Sequence, residues 1–496
     1  MQTIKLPKIS GIDFNRPRKK KILLLSDDLR MSSGIATMSR EFVVGTADEY
    51  DWVQLGAALH HPDHGKIYDL SADINKQIGI NDASVKVYAH TGYGSPDVLR
   101  EIINNEKPDA ILHFTDPRFW EWLYSMEYEI RCEMKIPIMY YNIWDAPPAP
   151  FWNKPFYQSC DLLMNISRQT HQLVKMVLGE DDYYDMDNDT GSGNRLVSYV
   201  PHGINPSQFF PIVEGHPDYN DFQAFKTKFK EGHGVDFVFF WNNRNIRRKM
   251  MGDLILAYRK FIDTLPVEKQ KRVGLFMHTI MRDENGTDIP EVARVLCPDG
   301  KLIFNEERLP TNVLNMFYNV ADVTINIASN EGFGLSSAES IMAGTPIINN
   351  VTGGLQDQVR FSDETGNWIT FSPEFTSNHT GVYKTHGSWA EVVYPSNRSL
   401  QGSLLTPYIF DDRCDFSDVA DAMTRWYNTT DDYRRAVGVE GRAWMLSEES
   451  GMSVEQMCAR MKRAINKCFE TWKPKSKFEL IVVKDREKIK EAGIVW

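Results

Sequence analysis

The sequence predicts an α/β protein built from two doubly wound domains that face each other. The chain has 496 residues, about three times the ~150 residues of a typical domain, so more than one core is expected. Short all-apolar runs alternate with helical stretches, as in parallel sheets whose strands are buried on both faces. This alternation stops in a proline-rich segment at 201–217 and restarts at Val235, which indicates a linker between two similar halves.

The first domain is predicted over residues 1–212. Its first strand is the apolar run 21–26, and Ser32, Ser33 and Gly34 then open a helix with apolar residues on one face. Further strands are predicted at 52–55, 85–88, 110–113, 137–141, 162–165 and 196–200. The acidic segment 180–194 is predicted to be an exposed loop, and 185–189 resembles the start of a calcium loop without its glycine and glutamate.

The second domain is predicted over residues 213–472. Strands are expected at 235–240, 273–277, 301–304, 323–326 and 346–348, with a helix at about 252–264. Residues 361–405 have weak periodicity and are interpreted as an insertion. The segment Lys473-Pro474-Lys475 marks a hinge, after which residues 473–496 are expected to join the first domain.

Composition and charge exclude several classes of function. Hydrophobic residues make up 42% and charged residues 25%, enough for large cores. A net charge of −11 would repel a polyanion from the chain as a whole. The six cysteines form no C-x-x-C pair, which argues against a disulfide framework or a thiolate zinc site. With no signal-peptide pattern and no apolar run of 18 residues, a cytoplasmic protein without a transmembrane segment is expected.

The most informative segment is 330–346, which contains a Gly-Phe-Gly loop, a short helix and a Gly-Thr-Pro stop. It follows a predicted buried strand, and this order suits a phosphate site, because the first N–H groups of a helix attract an anion. Glu331 precedes the loop and Glu339 lies in the helix, where carboxylates can accept hydrogen bonds from vicinal hydroxyls of a sugar and a ribose. An alternative interpretation is a helix capping box formed by Ser336 and Glu339.

A second candidate is the basic segment 242–249, after the first strand of the second domain. Arg244 offers a planar fork and Lys249 a point charge, so the pair could clamp a diphosphate. The alternative is a solvated basic turn.

Together these elements resemble the retaining GT-B glycosyltransferases of the GT4 type. The resemblance rests on Glu331-x7-Glu339, Arg244 with Lys249, the linker 200–205 and Gly353-Gly354, and it covers about residues 21–360 and weakly 405–470. It implies the GT-B fold, two facing Rossmann-like domains with a cleft between them. The second domain would hold most of a nucleoside-diphosphate sugar, with UDP sugars favoured.

The resemblance also implies roles for single residues. Glu331 would contact the donor sugar, Glu339 the ribose, and Arg244 with Lys249 the phosphates. Gly34 would approach the phosphates from the first domain. The sugar and diphosphate would lie along the loop residues Gly332, Phe333, Gly334 and Leu335. The family transfers with retention, by same-face attack, and needs neither a metal nor a cofactor.

One position departs from the family pattern. Many relatives carry a histidine after the strand at 137–141, where this chain offers Asn142, Trp144 and Asp145. Asp145 is the candidate for a catalytic or acceptor-binding role, and capping of the following Ala-Pro-Pro turn is the alternative. His113, which ends another strand, is expected to be a satisfied core histidine, with a cleft residue as the alternative.

The acceptor stays open between a saccharide and a hydroxymethylated base in DNA, as in viral DNA glycosylation. The basic run 16–21 and the many aromatics of the first half suggest the DNA base, and the overall charge opposes it. The alternatives to a transferase are a GT-B sugar-nucleotide epimerase and a non-catalytic binder of nucleotide sugars. The oligomeric state cannot be inferred from the sequence.

Overall fold

A computed structural model describes residues 18–475, and the structural statements below concern that range. The first domain contains a nine-stranded sheet in the order β3-β4-β2-β1-β5-β6-β7-β9-β8, parallel except for the edge strand β3. Its strands are β1 Lys20–Asp27, β2 Tyr50–Ala58, β3 Ile67–Asp69, β4 Val85–Thr91, β5 Ala110–Phe114, β6 Ile138–Asn142, β7 Leu162–Asn165, β8 Tyr183–Asp185 and β9 Arg195–Tyr199.

Helices cover both faces of this sheet, which explains why its central strands are apolar without alternation. Residues 22–25 of β1, for example, are completely buried. The helices of this part of the chain are α1 Gly34–Thr46, α2 Ser71–Ile78, α3 Pro96–Glu106, α4 Glu121–Ser125, α5 Lys154–Gln158 and α6 Arg168–Leu178.

The second domain contains a six-stranded parallel sheet in the order β12-β11-β10-β13-β14-β15. Its strands are β10 Phe237–Asn242, β11 Val273–His278, β12 Leu302–Asn305, β13 Val323–Asn326, β14 Ile347–Asn350 and β15 Ala390–Val393, and a separate antiparallel hairpin consists of β16 Asn397–Ser403 and β17 Thr406–Arg413. The helices that follow the linker are α7 Tyr219–His233, α8 Met251–Asp263, α9 Val267–Gln270, α10 Ile289–Leu296, α11 Thr311–Val320, α12 Leu335–Met342, α13 Leu355–Val359, α14 Phe416–Tyr427, α15 Asp431–Leu446 and α16 Val454–Thr471.

Each strand predicted from an apolar run is present, with its bounds shifted by a few residues at most. The helix predicted at about 252–264 is α8, and the two-domain α/β class is confirmed. The apolar core on one face of the first sheet continues into the second domain as a single cluster, because the last helix, α16, packs on the first domain.

Two expectations about loops hold only in part, because each segment also contains a strand. The acidic segment 180–194 contains the strand β8, and its Asp185 is fully buried, where it accepts hydrogen bonds from His171 (2.9 Å) and Lys175 (2.9 Å). The segment 361–405 is only partly an insertion, since residues 390–393 form the edge strand β15 of the second sheet. Both strands are too short to leave a periodic signal in the sequence.

The return of the chain to the first domain begins earlier than the expected hinge at 473. Ser453 lies beside the linker, since Ile204 donates to the carbonyl of Met452 (2.9 Å), and Lys462 of α16 then pairs with Asp48 (2.7 Å). Lys475 reaches Glu127 of the first domain (3.0 Å). The rest of the expected joining segment, 476–496, lies outside the described residues.

Within residues 18–475, every helix is too short or too polar to cross a lipid bilayer.

Candidate active site

The carboxyl ends of both parallel sheets point into the crevice between the domains, which is where ligands bind in sheets of this kind. The loop after β13 crosses this crevice. It is packed so closely against the first domain that a Cβ added at Gly332 would lie 2.8 Å from Ile166 and 3.1 Å from the carbonyl oxygen of Ile143. The glycines at 353 and 354 allow the same approach from behind, since a Cβ at either would overlap the backbone of residues 331–333.

The helix α12 begins at this loop as the sequence predicts, with Gly334 as its N-cap in the left-handed region (φ 92°). Its first intrahelical hydrogen bond runs from Ala338 to the carbonyl of Gly334 (3.1 Å), so the N–H groups of the preceding turn have no acceptor within the helix. The hydroxyl of Ser336 in that turn is buried and has no partner in the described residues. The first N–H groups of α12 and the hydroxyl of Ser336 together form a set of unused hydrogen-bond donors that suits an anion.

The capping-box interpretation of Ser336 and Glu339 is wrong. Gly334 occupies the N-cap, the helix has no side-chain cap, and Glu339 accepts a hydrogen bond from the hydroxyl of Tyr318 (2.7 Å) instead. Tyr318 in turn accepts from Asn242 at the end of β10 (2.9 Å), and Asn242 lies 3.0 Å from the imidazole of His278 at the end of β11. Burial raises the pKa of Glu339 to about 7, although the Tyr318 hydrogen bond lowers it.

Glu331 forms the centre of a buried charge cluster. It accepts a hydrogen bond from Lys249 and lies 3.2 Å from Arg248, and its side chain is 10% exposed. Burial raises the pKa of Glu331, but the two cations outweigh burial and leave it below its ordinary value. Burial lowers the pKa of Lys249 in spite of its acidic partner. Lys249 and Glu331 thus lie in the same crevice, as the sequence predicts.

Arg248, rather than Arg244, is the arginine that completes this cluster. Arg248 also donates to the carbonyl of Asn330 (2.5 Å), whereas Arg244 is largely exposed and lies 3.4 Å from Asp283. The buried side chain of Asn245 explains this choice, because it is hydrogen-bonded to residues 281 and 287 and so fixes the turn between the two arginines. The sequence shows four cations within residues 244–249, and no local signal distinguishes the arginine that meets Glu331.

Asp145 approaches the cluster from the first domain. Its carboxylate lies 3.9 Å from Arg248, and the exposed fractions of the two side chains are 28% and 35%. Both groups are surrounded by protein and yet reach solvent, as expected of groups that line a narrow crevice. Burial raises the pKa of Asp145, Arg248 lowers it, and Glu331 raises it again. Asp145 thus contributes charge to the crevice, in addition to any role in the following turn.

The turn at Gly34, where α1 begins, faces α12 from the opposite side of the crevice. A Cβ at Gly34 would lie 3.2 Å from Leu335, the first residue of α12. Ser33 caps α1 by accepting from Ala36 (3.0 Å) and donates its hydroxyl to Asp27 at the end of β1. The structure therefore brings Gly34 next to the expected phosphate loop.

Phe333 has a different environment from the one expected of a donor contact. Its side chain is 3% exposed and packs edge-on against His202 of the linker, with ring centroids 5.3 Å apart. Gln358 donates to its carbonyl (2.7 Å). The Phe333 ring therefore joins the two domains, and burial keeps its neighbour His202 neutral by lowering the imidazole pKa to about 3.

The remaining groups on the first-domain side are acidic and aromatic. Asp27 ends β1 and Asp116 follows β5, and both raise the pKa of Tyr93, after the larger effect of burial. Tyr93 stacks on Phe119 with ring centroids 5.0 Å apart, and Phe119 is 49% exposed. His113, in contrast, is fully buried and hydrogen-bonded to Tyr124 (2.7 Å) and Thr115 (2.8 Å), which confirms it as a core residue.

The hairpin β16–β17 closes one side of the crevice and could not be inferred from the sequence. Its Phe410 donates to the carbonyl of Pro147 (2.7 Å) in the first domain, and Tyr408 packs edge-on against Trp152 at 4.3 Å. On the other side, Asp411 accepts from Asn330 (2.9 Å), next to Glu331. The hairpin therefore contacts both the first domain and the loop of the second domain that carries Glu331.

Comparisons with solved structures support the same architecture. Sucrose-phosphate synthase from Thermosynechococcus elongatus shares 14% identity, with 92% of this chain and 100% of that chain covered and a TM-score of 0.61. HepE from Anabaena, solved with UDP and glucose, shares 12% identity over 90% of this chain and 100% of that chain, with a TM-score of 0.58. The α,α-trehalose 6-phosphate synthase from Burkholderia multivorans shares 12% identity over 91% and 99%, also with a TM-score of 0.58.

At these identities the likeness shows the fold, which is the GT-B glycosyltransferase fold of two facing Rossmann-like domains. Among curated sequences, D-inositol 3-phosphate glycosyltransferase from Thermomonospora curvata is 42% identical over 59 residues. That segment spans 12% of this chain and 14% of the relative. No model of a known protein family matches the chain.

Proposed function

We propose that the protein is a glycosyltransferase that moves a sugar from a nucleoside-diphosphate sugar to an acceptor hydroxyl. The observation that carries this proposal is the cluster of Lys249, Arg248 and Glu331, which lies beside the start of α12, where Leu335 faces Gly34 of the first domain. A diphosphate is bound by cations and by the free N–H groups at the start of a helix. Gly34, which has no side chain, leaves room for it on the side of the first domain. The sequence resemblance and the solved complexes of HepE with UDP and with UDP-glucose favour a UDP sugar as donor.

In this proposal the cationic pair does the main electrostatic work. Lys249 and Arg248 would exchange part of their pairing with Glu331 for the diphosphate and would neutralise the charge that develops as it leaves. Glu331 would then accept hydrogen bonds from the donor sugar, and Glu339, at the end of the Tyr318 network, from the ribose. Arg244, which the resemblance also assigns to the phosphates, would have to leave Asp283, 3.4 Å away, to reach them.

We further propose that transfer proceeds with retention, in the manner of the GT4-type enzymes, without a metal. Asp145 is the only carboxylate of the first domain, among the described residues, that forms an ion pair with the Arg248–Lys249–Glu331 cluster. It would orient the acceptor hydroxyl or a donor hydroxyl on the face that the leaving phosphate also occupies. The configuration of the product, determined by NMR of the anomeric proton, tests this step.

A saccharide is the proposed acceptor rather than a base in DNA. The first-domain side of the crevice presents Asp27, Asp116 and the stacked pair Tyr93–Phe119, a combination of carboxylates and flat rings that suits a neutral sugar. The basic run suggested DNA, but its described members pair with acidic side chains at the opposite end of β1. These ion pairs are Arg18–Asp109, Lys19–Asp82, Lys20–Asp109 and Lys21–Glu106. Arg16 lies outside the described residues.

Release of nucleoside diphosphate from a panel of nucleotide sugars, with and without acceptors, tests the proposal. Acceptors would include mono- and disaccharides and duplex DNA with hydroxymethylated bases. Release that depends on a saccharide supports the proposal, and release only with DNA would replace the acceptor. Conversion of the donor without any acceptor would indicate an epimerase. Binding without turnover under every condition would indicate a non-catalytic binder.

A further inference from the structure

A cavity of about 220 Å³ lies in the second domain, outside the crevice described above. Its walls come from the interdomain linker at 211–214, from α7, from the loop 343–346 that follows α12, and from α15. None of the residues assigned to the candidate active site lines it. The cavity lies at the amino-end edge of the second sheet, since its Asp322 immediately precedes β13, whereas the active site lies at the carboxyl-end edge.

The cavity wall contains two cationic side chains with an unused donor group, Lys226 and Arg434. Lys226 of α7 forms no hydrogen bond or ion pair with any residue in the range 18–475, and its ammonium only lies 6.0 Å from the ring of Phe222. Arg434 of α15, whose side chain is 9% exposed, donates to Asp322, but its buried Nε has no hydrogen-bond partner among the described residues. Burial lowers the pKa of Lys226, because a charged ammonium is costly to desolvate, and Lys230 lowers it further whereas Asp322 raises it.

The acidic groups in the cavity wall are already neutralised. Asp322 accepts from Lys230 (3.0 Å) and from Arg434 (3.0 Å), and Asp431 pairs with Arg435 (2.6 Å). Glu214, at the rim, is exposed to water. Among the charged side chains of the wall, within the described range, Lys226 is therefore the cation that has no ion pair. Apolar side chains, among them Ile212 and Phe222, form much of the remaining wall.

The walls of the cavity are connected to the donor site and to the domain linker. Thr345 donates its hydroxyl to the carbonyl of Tyr318 (2.6 Å), and the phenol of Tyr318 donates to Glu339. Asn319 accepts from the backbone of Ile212 in the linker (2.8 Å). Gly344 packs on the linker, since a Cβ there would lie 2.9 Å from Pro211. An occupant of the cavity would thus contact both the end of α12 and the segment that joins the domains.

We propose that this cavity is an effector site for a small organic anion, with its phosphate or carboxylate head between Lys226 and Arg434 and an apolar body against Ile212 and Phe222. Occupation supplies the missing counterion and, through Thr345, Tyr318 and the linker, changes the affinity for the donor. The binding half of this inference stands on the cavity alone, and the coupling half rests on the proposed function. Phosphate and carboxylate heads share the same recognition chemistry, and the experiment separates them.

Binding is tested by calorimetry at constant ionic strength, with phenyl phosphate and benzoate as probes and benzyl alcohol as the neutral control. We expect saturable binding of at least one anion, no binding of the alcohol, and a loss of affinity of about tenfold or more in Lys226→Met. Lys228→Met, on the exposed part of the same helix, is the matched control and should bind as the wild type does. Equal binding by Lys226→Met and wild type overturns the inference.

Two further measurements keep the result unambiguous. Without any probe, Lys226→Met should unfold at the same or a higher temperature than the wild type, because it removes an unpaired ammonium, and a markedly lower Tm contradicts the described environment of Lys226. Arg248→Gln should retain anion binding. If affinity is lost in Arg248→Gln and kept in Lys226→Met, the anion occupies the crevice, and the inference is wrong.

Coupling is tested by donor affinity with and without a saturating anion. Reciprocity requires the donor to change the affinity for the anion by the same factor. Equal donor affinity in both conditions overturns the coupling. If no nucleotide sugar binds at all, the proposed function fails while anion binding at Lys226 remains measurable. If donors bind and anions do not, only the effector site is refuted.

Discussion

Gly34 of the first domain lies against Leu335 of the second, so closely that a Cβ at position 34 would be 3.2 Å from the Leu335 methyl carbon. The two residues begin α1 and α12, and each follows the carboxyl end of a strand. This contact sets the width of the crevice where the candidate diphosphate site lies. It is also a contact that a single methyl group can probe.

Enlarging residue 34 should weaken donor binding without unfolding the protein. Because Leu335 can yield by a few tenths of an ångström, we expect a several-fold increase in the donor KM for Gly34→Ala and a larger one for Gly34→Val. Combining Gly34→Val with Leu335→Ala should restore part of the loss, as coupling between contacting residues predicts. Gly232→Ala, where an added Cβ meets no atom within 4 Å, is the control. An unchanged KM in Gly34→Val would contradict the assigned crevice.

Arg248 and Arg247 form a matched pair for the cationic cluster. They are adjacent in one turn, but Arg248 lies 3.2 Å from Glu331 whereas Arg247 is exposed. Arg248→Gln should lower kcat/KM by about 10²–10³-fold, the usual effect of removing one preorganised stabilising group, while Arg247→Gln should have little effect. Steady-state kinetics, with the donor and acceptor that the panel of nucleotide sugars and acceptors identifies, provide the measurement. Equal losses in the two variants would argue for a general basic surface.

Lys249 should be needed for activity for a further reason. Its loss would leave Glu331, with its side chain only 10% exposed, to pair with Arg248 alone. Lys249→Met is expected to reduce kcat by about 10²–10³-fold and also to raise the pKa of Glu331. Glu331→Gln removes both the charge and the pairing. In a double-mutant cycle, the losses in kcat caused by Glu331→Gln and Lys249→Met should therefore be strongly non-additive. Additive losses would mean that the two side chains act independently.

The raised pKa of Glu339 predicts that donor affinity depends on pH near neutrality. Burial raises its pKa to about 7, so it is protonated below that pH and accepts hydrogen bonds poorly. Donor affinity should therefore rise from pH 6 to pH 8. Glu339→Gln should flatten this profile. Tyr318→Phe removes the hydrogen bond that lowers the pKa, so it should move the midpoint to higher pH. A wild-type profile no steeper than that of Glu339→Gln contradicts the ribose role.

The same carboxyl group has a consequence for stability, with a defined sign. Its folded-state pKa of about 7 lies above the ordinary glutamate pKa of 4.5, so the folded state binds more protons between these two values. The free energy of unfolding contributed by Glu339 should then fall as pH rises through that window. Urea denaturation of wild type and Glu339→Gln should show the variant gaining relative stability between pH 5 and pH 7. A constant difference across this range would contradict the raised pKa.

The hairpin that closes the crevice should depend on Asp412. This residue is fully buried, and it pairs with Arg398 (2.5 Å) and accepts from Thr352 (2.9 Å). Asp412→Ala leaves a partly buried arginine without its partner, so we expect a loss of about 3 kcal/mol in the free energy of unfolding. Asp299→Ala removes an exposed carboxylate 3.7 Å from Arg259 and should cost about 0.5 kcal/mol or less. Urea denaturation measures both, and equal losses would count against a structural role for the hairpin.

The sequence by itself determined the elements and much of the candidate site. Apolar runs such as 22–25 located the central strands, because a strand buried on both faces must be apolar throughout. Ser33 and Gly34 located the start of α1, and Gly334 that of α12, because caps and left-handed backbone restrict residue type locally. That Lys249 and Glu331 share one crevice followed from their positions beyond the carboxyl ends of two predicted parallel strands, and the structure adds that these strands, β10 and β13, are neighbours.

Only the tertiary structure decided which partners each side chain meets. It selected Arg248 over Arg244 for Glu331, gave Glu339 to Tyr318 rather than to a helix cap, and buried Phe333 against His202. It also brought β16–β17 across the crevice and placed Asp185 in the core. The physical reason is that periodicity, caps and turns are properties of neighbouring residues. Burial and pairing depend instead on how elements hundreds of residues apart pack together.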